Sequence, residues 1–384
     1  MIEFDAIRPY NDNELPAVFE ELIADPDFRQ VVTAVFPSVP FEMLAQEMRQ
    51  CRTKFEFQKK FCYVILRRIE KESTNGVTLN HTAITDKSAA YTYISNHRDI
   101  ILDSGFLDIE LVLQGLDTVE IAIGDNLFIY PWIKKVVRIN KSFIVQRGLP
   151  MRQMLESSTR LSDYMHHTIA DKKQSIWIAQ REGRAKDSDD LTQESLLKML
   201  VLGGEGDIID RLSALNIAPL AISYEFDPCD YLKAQEFQQK RDNPAYKKTP
   251  QDDWLNMESG LLGRKGHVHL KAAACINDEL ATIDRSLPKQ EIFLRVAALI
   301  DRRIHSNYRI YPANYIAHDY LSDSSTFIDY YTEHEKREFY HYIDEQLERI
   351  TLPDKDIPFL RKKLLLMYAN PLTNHLTALK NSAR

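Results

Sequence analysis

Short apolar segments alternate with helical stretches between about residues 86 and 280, and this alternation limits the possible folds more than any other feature. Strands that alternate with helices form a layered structure, so the pattern predicts an α/β fold with a central mixed sheet flanked by helices. The predicted strands cover residues 90–95, 119–123, 143–146, 176–180, 218–224 and 268–273, and the predicted helices include 127–137, 151–172 and 193–202.

Helical periodicity dominates the chain on both sides of this layered part. We therefore expect a helical N-terminal region over residues 1–85, an α/β domain over 86–288 and a helical C-terminal region over 289–384. The polar segment 72–80 is predicted to be a connection, and the polar segment 233–253, which carries two prolines, is predicted to be a loop or an insertion.

Charge and composition argue against some classes of function. The formal net charge of −7 disfavours nucleic acid as a main partner, because phosphate backbones are bound by clustered positive charge. The four cysteines form no Cys-x-x-Cys pair, which favours free thiols in a cytoplasmic protein. The sequence has no secretory signal and no run of about 18 apolar residues, so no transmembrane helix is expected.

A basic amphipathic segment near the end of the chain could contact a membrane. Four apolar residues follow Arg361, Lys362 and Lys363, which is typical of helices that lie on a membrane surface. The membrane surface expected for this chain is the inner one. A helix that packs on the protein and leaves a basic edge in solvent fits the same pattern and is the more common case.

A histidine follows the first predicted strand of the α/β domain. This is the carboxyl end of a strand, where α/β sheets place their functional sites. Either Asp99 or Asp103 could accept a hydrogen bond from Nδ1–H of His97 and leave Nε2 free to take a proton. From this segment alone, capping of the following helix is the more common role for such residues.

Basic residues follow two further predicted strands. Arg147 directly follows one of them, and the turn after another places Arg184 and Lys186 beside Glu182 and Gly183. Arginine suits bidentate phosphate binding, and glycine allows a close backbone approach. These turns are candidate anion sites, although a charged surface loop has the same composition.

Four segments in this order resemble the sequence blocks of the glycerophosphate acyltransferase superfamily, whose members acylate glycerol-3-phosphate, lysophosphatidate and related acceptors. SNHRDIILDS is similar to the first block, KSFIVQRG to the second, REGRAKDS to the third and IAPLAISYEFDP to the fourth. The resemblance covers roughly residues 86–275, and the order of four blocks is more specific than any one of them.

The resemblance implies a glycerol-3-phosphate acyltransferase-like fold and an enzyme of phospholipid or glycerolipid biosynthesis. It implies that His97 is the general base and that Asp103 stabilises its imidazolium. The residues implied to contact the acceptor phosphate are Arg147, Glu182, Gly183, Arg184 and Lys186. Acyl-CoA or acyl-carrier protein would be the co-substrate, glycerol-3-phosphate or a lysolipid the acceptor, and neither a cofactor nor a metal ion is expected.

Two of the blocks depart from the family pattern. The family has four residues between histidine and aspartate, whereas five separate His97 from Asp103, and one extra residue turns a helical side chain by about 100°. Either the start of the helix absorbs the extra residue or Asp99 is the partner; we expect Asp103, which lies directly before the apolar helix. In the third block, Ala185 and Lys186 replace the usual serine and arginine.

Other functions fit parts of the sequence. His97-Arg98-Asp99 is similar to a protein-kinase motif, but the sequence has neither the glycine-rich loop nor the Asp-Phe-Gly motif of kinases. His267 and His269 would share a strand face, but two histidines are too few ligands for a metal site. The remaining alternatives are a non-catalytic lipid- or acyl-binding protein, favoured only by the altered spacing, and an O-acyltransferase for a lipid acceptor without phosphate.

Overall fold

A computed structural model describes residues 4–382 of the chain. Residues 1–3 and 383–384, which are the ends of the two predicted helical regions, lie outside the described residues. The described part contains one seven-stranded sheet. Its strands are β1 (Thr74–Asn80), β2 (Thr92–Ser95), β3 (Glu120–Gly124), β4 (Ser142–Val145), β5 (Ile176–Ala179), β6 (Ile217–Tyr224) and β7 (Gly266–Ala272).

The sheet is mixed, as predicted, and its strand order is β1-β7-β6-β2-β5-β3-β4. The pairs are parallel except for β6 and β7, which run antiparallel. Strands β2 to β6 therefore all end at one edge, which we call the carboxyl edge of the sheet. Strand β2 lies in the middle, where Ile94 pairs with Ile178 of β5 and with Pro219 of β6.

Helices precede, cover and follow the sheet. The N-terminal helices are α1 (Leu15–Ala24), α2 (Pro26–Val35), α3 (Phe41–Gln50), α4 (Lys54–Phe57) and α5 (Tyr63–Ser73). Those between the strands are α6 (Leu102–Leu113), α7 (Pro131–Ile139), α8 (Met151–Ala170), α9 (Glu194–Leu200), α10 (Ile208–Ala214), α11 (Asp230–Asp242), α12 (Pro250–Leu262) and, after β7, α13 (Asn277–Ala281). The C-terminal helices are α14 (Lys289–Ser306), α15 (Pro312–Leu321), α16 (Glu333–Arg349) and α17 (Ile357–Ser382).

Apolar side chains alternate between the two faces of the sheet, which gives it two separate cores. On β2, Ile94 packs into a cluster with residues of α8 and α14, whereas Tyr93 packs into a cluster with residues of α6. On β5, Ile176 and Trp177 divide between the same two clusters. This burial on both faces explains why the strands read as apolar runs in the sequence.

Two predicted loops are wrong. The segment 72–80 contains strand β1, which lies at the sheet edge and buries only Val77, so it lacks the apolar pattern of a central strand. The segment 233–253 falls largely within helices α11 and α12. Helix α11 buries charged side chains such as Lys233 and Glu236, which pair with Asp227 and Lys186, and this hides its helical periodicity. The predicted boundaries at residues 85 and 288 stay a prediction.

The basic segment near the end of the chain lies in helix α17. Its apolar residues Leu364, Leu365 and Met367 are buried in a cluster with α11, α15 and α16, so this face is not available to a membrane. Among residues 4–382, no helix combines the length and the apolar character needed to cross a bilayer.

Two buried tyrosines connect helices α16 and α17 to helix α11. Tyr342 and Tyr368 each donate a hydrogen bond of 2.7 Å to Oδ2 of Asp230, at the start of α11. Burial raises the pKa of Asp230 to about 7, and the two hydroxyls offset this only in part. The folded protein therefore binds more protons than the unfolded chain between about pH 4 and pH 7, and its stability falls as the pH rises through this window.

We predict that Asp230→Asn reduces this pH dependence. Raising the pH from about 5 to about 8 should lower the melting temperature of the wild type at least about 2 °C more than that of the variant, because the variant has no charge to bury. Asp329→Asn, at an exposed position, is the control and should follow the wild type. Equal pH slopes for wild type and Asp230→Asn would show that Asp230 titrates normally.

Candidate active site

Asn96 fixes the point at which the chain leaves strand β2. Its side chain is fully buried and acts like one more strand residue, since Nδ2 donates to Ile222 O and Oδ1 accepts from Ile222 N, both at 2.8 Å. A buried amide with both ends hydrogen-bonded holds one orientation. The next residue, His97, therefore lies at the carboxyl edge of the sheet.

His97 pairs with Asp103. The imidazole Nδ1 lies 2.8 Å from Oδ2 of Asp103, and the two side chains are 13% and 0% exposed. An ionised carboxylate only accepts hydrogen bonds, so the neutral imidazole carries its proton on Nδ1. Its Nε2 then has a free lone pair, as a general base requires.

The turn between the two residues is built around the same carboxylate. Backbone N–H groups of Arg98 and Asp99 donate to Oδ2 of Asp103 at 2.7 and 3.1 Å. Oδ1 of Asp99 accepts from the N–H groups of Ile101 and Leu102 at 2.9 and 2.8 Å, where helix α6 begins. Asp99 thus binds two backbone N–H groups at the start of α6, and Asp103 rather than Asp99 contacts the imidazole.

Two aromatic residues contact the pair, and sequence reasoning missed both. The Trp177 ring meets the His97 imidazole edge-on at 5.7 Å, and its Nε1 donates to Oγ of Ser95 at 3.0 Å. Burial and the neighbouring charges of Asp103 and Asp99 raise the pKa of Tyr224, at the end of β6, well above its usual value. An aromatic residue in an apolar strand predicts core packing, so the sequence contains no signal for this role.

A buried ion pair stabilises the turn that follows His97. The Arg98 guanidinium lies 2.7 Å from Asp190, with the two side chains 6% and 0% exposed, and it lies over the ring of Tyr308 at 5.8 Å. Asp190 precedes α9 and Tyr308 follows α14. Arg98 therefore connects the turn after His97 with two other parts of the chain. Removing one partner would leave the other charge buried and unpaired, which is strongly destabilising.

Arg147 and Glu182 pair at the same edge, from the ends of β4 and β5. Nη1 of Arg147 donates to Oε1 of Glu182 at 2.8 Å, and both side chains reach solvent. Gly124 ends the neighbouring strand β3, and a Cβ there would lie 2.7 Å from Nε of Arg147. A larger residue would therefore displace the guanidinium from this strand end, and the sequence analysis did not identify Gly124. Gly183 turns the chain after Glu182 with a φ of +68°, which glycine adopts readily.

Arg184 lies close to the turn that follows His97. Its Nη2 donates to Oδ1 of Asn256 in α12 at 2.8 Å. Burial alone would lower the pKa of Arg184, but interactions with Cys229, Asp227 and Asp99 outweigh it, and the net pKa is raised. Its Nη1 is a buried atom and has no hydrogen-bond partner of good geometry within the described part of the chain. Arg184 is therefore a firmly charged residue with one buried, unpaired donor.

Lys186 is paired with a carboxylate of another helix. Its ammonium bonds to Glu236 of α11, which also pairs with Lys240 at 2.9 Å. Burial lowers the pKa of Lys186 to about 8, although Glu236 opposes this shift. Among the residues predicted to bind phosphate, Lys186 forms an ion pair with the buried carboxylate of Glu236.

Helix α12 lies over this edge of the sheet. Asn256 is buried against Arg184, and Gly260 faces Oδ2 of Asp99 so closely that a Cβ would overlap it. No group of three or more His, Cys, Asp or Glu side chains within residues 4–382 has the arrangement of a metal site.

Comparison with protein-family models gave no match for this chain. Comparison with curated protein sequences gave no match either. Among solved structures, the chain is similar to the crystal structure of the 1-acyl-sn-glycerophosphate (LPA) acyltransferase PlsC from Thermotoga maritima, with 12% sequence identity, 76% of this chain and 94% of that chain covered, and a TM-score of 0.36. This similarity is too distant to assign a fold or a function. The fold class is therefore taken from the sheet, and the function is inferred from the site described above.

The contact between α12 and Asp99 predicts that Gly260→Ala is destabilising. The carboxylate of Asp99 cannot move aside, because Oδ1 is held by two backbone N–H groups. We expect a loss of about 1–3 kcal/mol in the free energy of unfolding, measured by chemical denaturation. Glu258→Ala, on the exposed side of the same helix, is the control and should change stability little. If the two variants are equally stable, α12 does not pack on Asp99.

Proposed function

We propose that this chain is an acyltransferase that moves a fatty acyl group from an acyl thioester to a hydroxyl of glycerol-3-phosphate or a lysophospholipid. The observation that carries the proposal is the pairing of His97 Nδ1 with the buried Asp103, which leaves Nε2 free at the carboxyl edge of the sheet. Acyl-CoA or acyl-carrier protein would supply the acyl group, and the reaction needs no cofactor.

The reaction needs one proton carrier. Nε2 of His97 removes the proton of the acceptor hydroxyl as the oxygen attacks the thioester carbonyl carbon, and Asp103 stabilises the imidazolium that forms. The tetrahedral intermediate collapses by breaking the carbon–sulfur bond. The imidazolium then gives its proton to the leaving thiolate, so the products are an ester and a free thiol. No covalent acyl-enzyme is required.

The acceptor phosphate would be bound by Arg184 and Arg147. Arg184 has an unpartnered Nη1 near the turn after His97, and Arg147 is partly exposed at the neighbouring strand end. Glu182 orients Arg147 through their ion pair, and Gly183 permits the turn between Glu182 and Arg184. A bidentate arginine contact would bind a phosphate more tightly than a neutral hydroxyl. We assign Lys186 a weaker role, because it is bonded to Glu236.

A non-catalytic acyl-binding protein is less well supported. Its only support was the extra residue between His97 and Asp103, and the turn before α6 accommodates that residue while the pair remains intact. We propose that the protein works in the cytoplasm, on substrates that are held at the inner membrane surface.

We expect His97→Ala to lower the rate of acyl transfer by about 10²–10⁴-fold, because the general base is lost. His167→Ala is a matched control, since His167 makes the same Nδ1 contact with Asp171, at 2.7 Å, on the exposed side of α8. Both variants would be assayed with acyl-CoA and acyl-carrier protein donors and a panel of phosphate and non-phosphate acceptors, with products read by mass. Full activity of His97→Ala would contradict the proposal.

Asp103→Asn should reduce activity by at least about 10²-fold while the binding of substrate changes little. The asparagine keeps the shape of the side chain but cannot stabilise the imidazolium. Steady-state kinetics would therefore show a fall in kcat with nearly constant KM. Asp171→Asn, the partner of the control histidine, should leave kcat unchanged. A large rise in KM with constant kcat for Asp103→Asn would assign the residue to substrate binding.

Arg184→Gln should raise KM for a phosphate-bearing acceptor by at least about tenfold, because a charge-assisted contact is lost. Lys186→Gln should raise it less than about threefold, since Glu236 keeps Lys240 as a partner. If Arg184→Gln leaves KM unchanged for every acceptor, another residue binds the phosphate. If KM rises equally for acceptors without phosphate, Arg184 binds a different part of the substrate.

A further inference from the structure

The first turns of helix α8 expose apolar side chains to solvent in the described part of the chain. Met151, Met154 and Leu155 are 88%, 51% and 60% exposed, and their spacing places them on one face of the helix. Seven residues further on, Leu161 continues the stripe of Met154, and it is buried in the core. The apolar face of α8 therefore extends beyond the protein into solvent.

This exposed end lies at the carboxyl edge of the sheet. Helix α8 starts shortly after strand β4 ends, and Arg147 lies between them. Strand β3 is the neighbour of β4, and the connection that follows it exposes Ile129 and Tyr130. We call Ile129, Tyr130, Met151, Met154 and Leu155 the rim patch. It lies at the same sheet edge as His97.

Two arginines lie beside the rim patch, in a chain whose net charge is −7. Arg147 is paired with Glu182, and Arg152 is the more exposed of the two. The side chain of Arg152 is 93% exposed, and its contact with Glu156 is a loose 3.7 Å. Apolar side chains that project from a helix with cations beside them match the boundary between acyl chains and anionic headgroups.

We propose that the rim patch docks the protein on an anionic lipid surface. This inference rests on the proposed function, because docking there would bring the carboxyl edge of the sheet, and His97 with it, towards a lipid acceptor. The number of side chains favours lipid over a protein partner. A stable protein interface buries roughly 800 Å² on each partner through about 20–30 residues, far more than five side chains provide. Insertion into a lipid surface requires only a few apolar side chains and cations.

The test is sedimentation with lipid vesicles, either of phosphatidylcholine alone or with about a third of phosphatidylglycerol. The wild type should bind the anionic vesicles, and the double variant Met154→Glu/Leu155→Glu should bind them at least about tenfold more weakly. Leu294→Glu/Leu379→Glu is the matched control, at exposed leucines of α14 and α17, and should bind like the wild type. Arg152→Gln should lose about fivefold on anionic vesicles only.

Turnover of a water-soluble, short-chain acceptor separates this inference from the proposed function. The rim variant should retain that turnover and lose turnover of vesicle-bound acceptor. Loss of vesicle binding with an enzyme inactive on every substrate would support docking and contradict the acyltransferase assignment. Docking itself is overturned if the wild type does not sediment with anionic vesicles or if the rim variant binds like the control. A dimer in solution that Met154→Glu/Leu155→Glu dissociates would assign the patch to a second copy of the chain.

Discussion

The carboxylate of Asp103 has no contact with solvent, and a buried carboxylate is costly unless hydrogen bonds satisfy it. One of its oxygens accepts from two backbone N–H groups and from the His97 imidazole. The N-terminus of helix α6 adds a favourable dipole. The same three contacts form the turn before the helix and fix the imidazole proton on Nδ1. A substitution at Asp103 that removes the accepting oxygen would therefore change the structure of the turn as well as the chemistry of the histidine.

The surroundings of this pair come from distant parts of the chain. Strand β6 holds Asn96, the segment before α9 supplies Asp190, and the chain after α14 supplies Tyr308. Helix α17 contributes Tyr368, whose hydroxyl accepts a hydrogen bond from the N–H of Asp227 at 3.2 Å. Asp227 is in turn one of the groups that keep Arg184 charged. The C-terminal helices thus contact residues that surround the candidate site and help to hold them in place.

The central strands could be predicted because they bury both faces and have apolar sequences. The candidate residues were chosen because the first three segments resemble the blocks of a known family. Strand β1 was missed, since an edge strand with one buried residue has the composition of a loop. Helix α11 was not predicted because it buries ion pairs. Its residue Glu236, which is the partner of Lys186, was therefore not predicted either. Gly124, Asn256 and Tyr224 meet the site through Arg147, Arg184 and Asp103, which are distant from them in sequence. No local pattern reports such contacts.

The tautomer of His97 tests the account most directly. Nitrogen-15 NMR of the histidine side chains, above the pH at which His97 loses its charge, distinguishes a proton on Nδ1 from one on Nε2. The account predicts that His97 in the wild type carries its proton on Nδ1, and that Asp103→Ala, which removes the accepting oxygen, populates the other tautomer. A wild-type imidazole protonated on Nε2 would contradict it, because the nitrogen assigned to accept the hydroxyl proton would then already hold one.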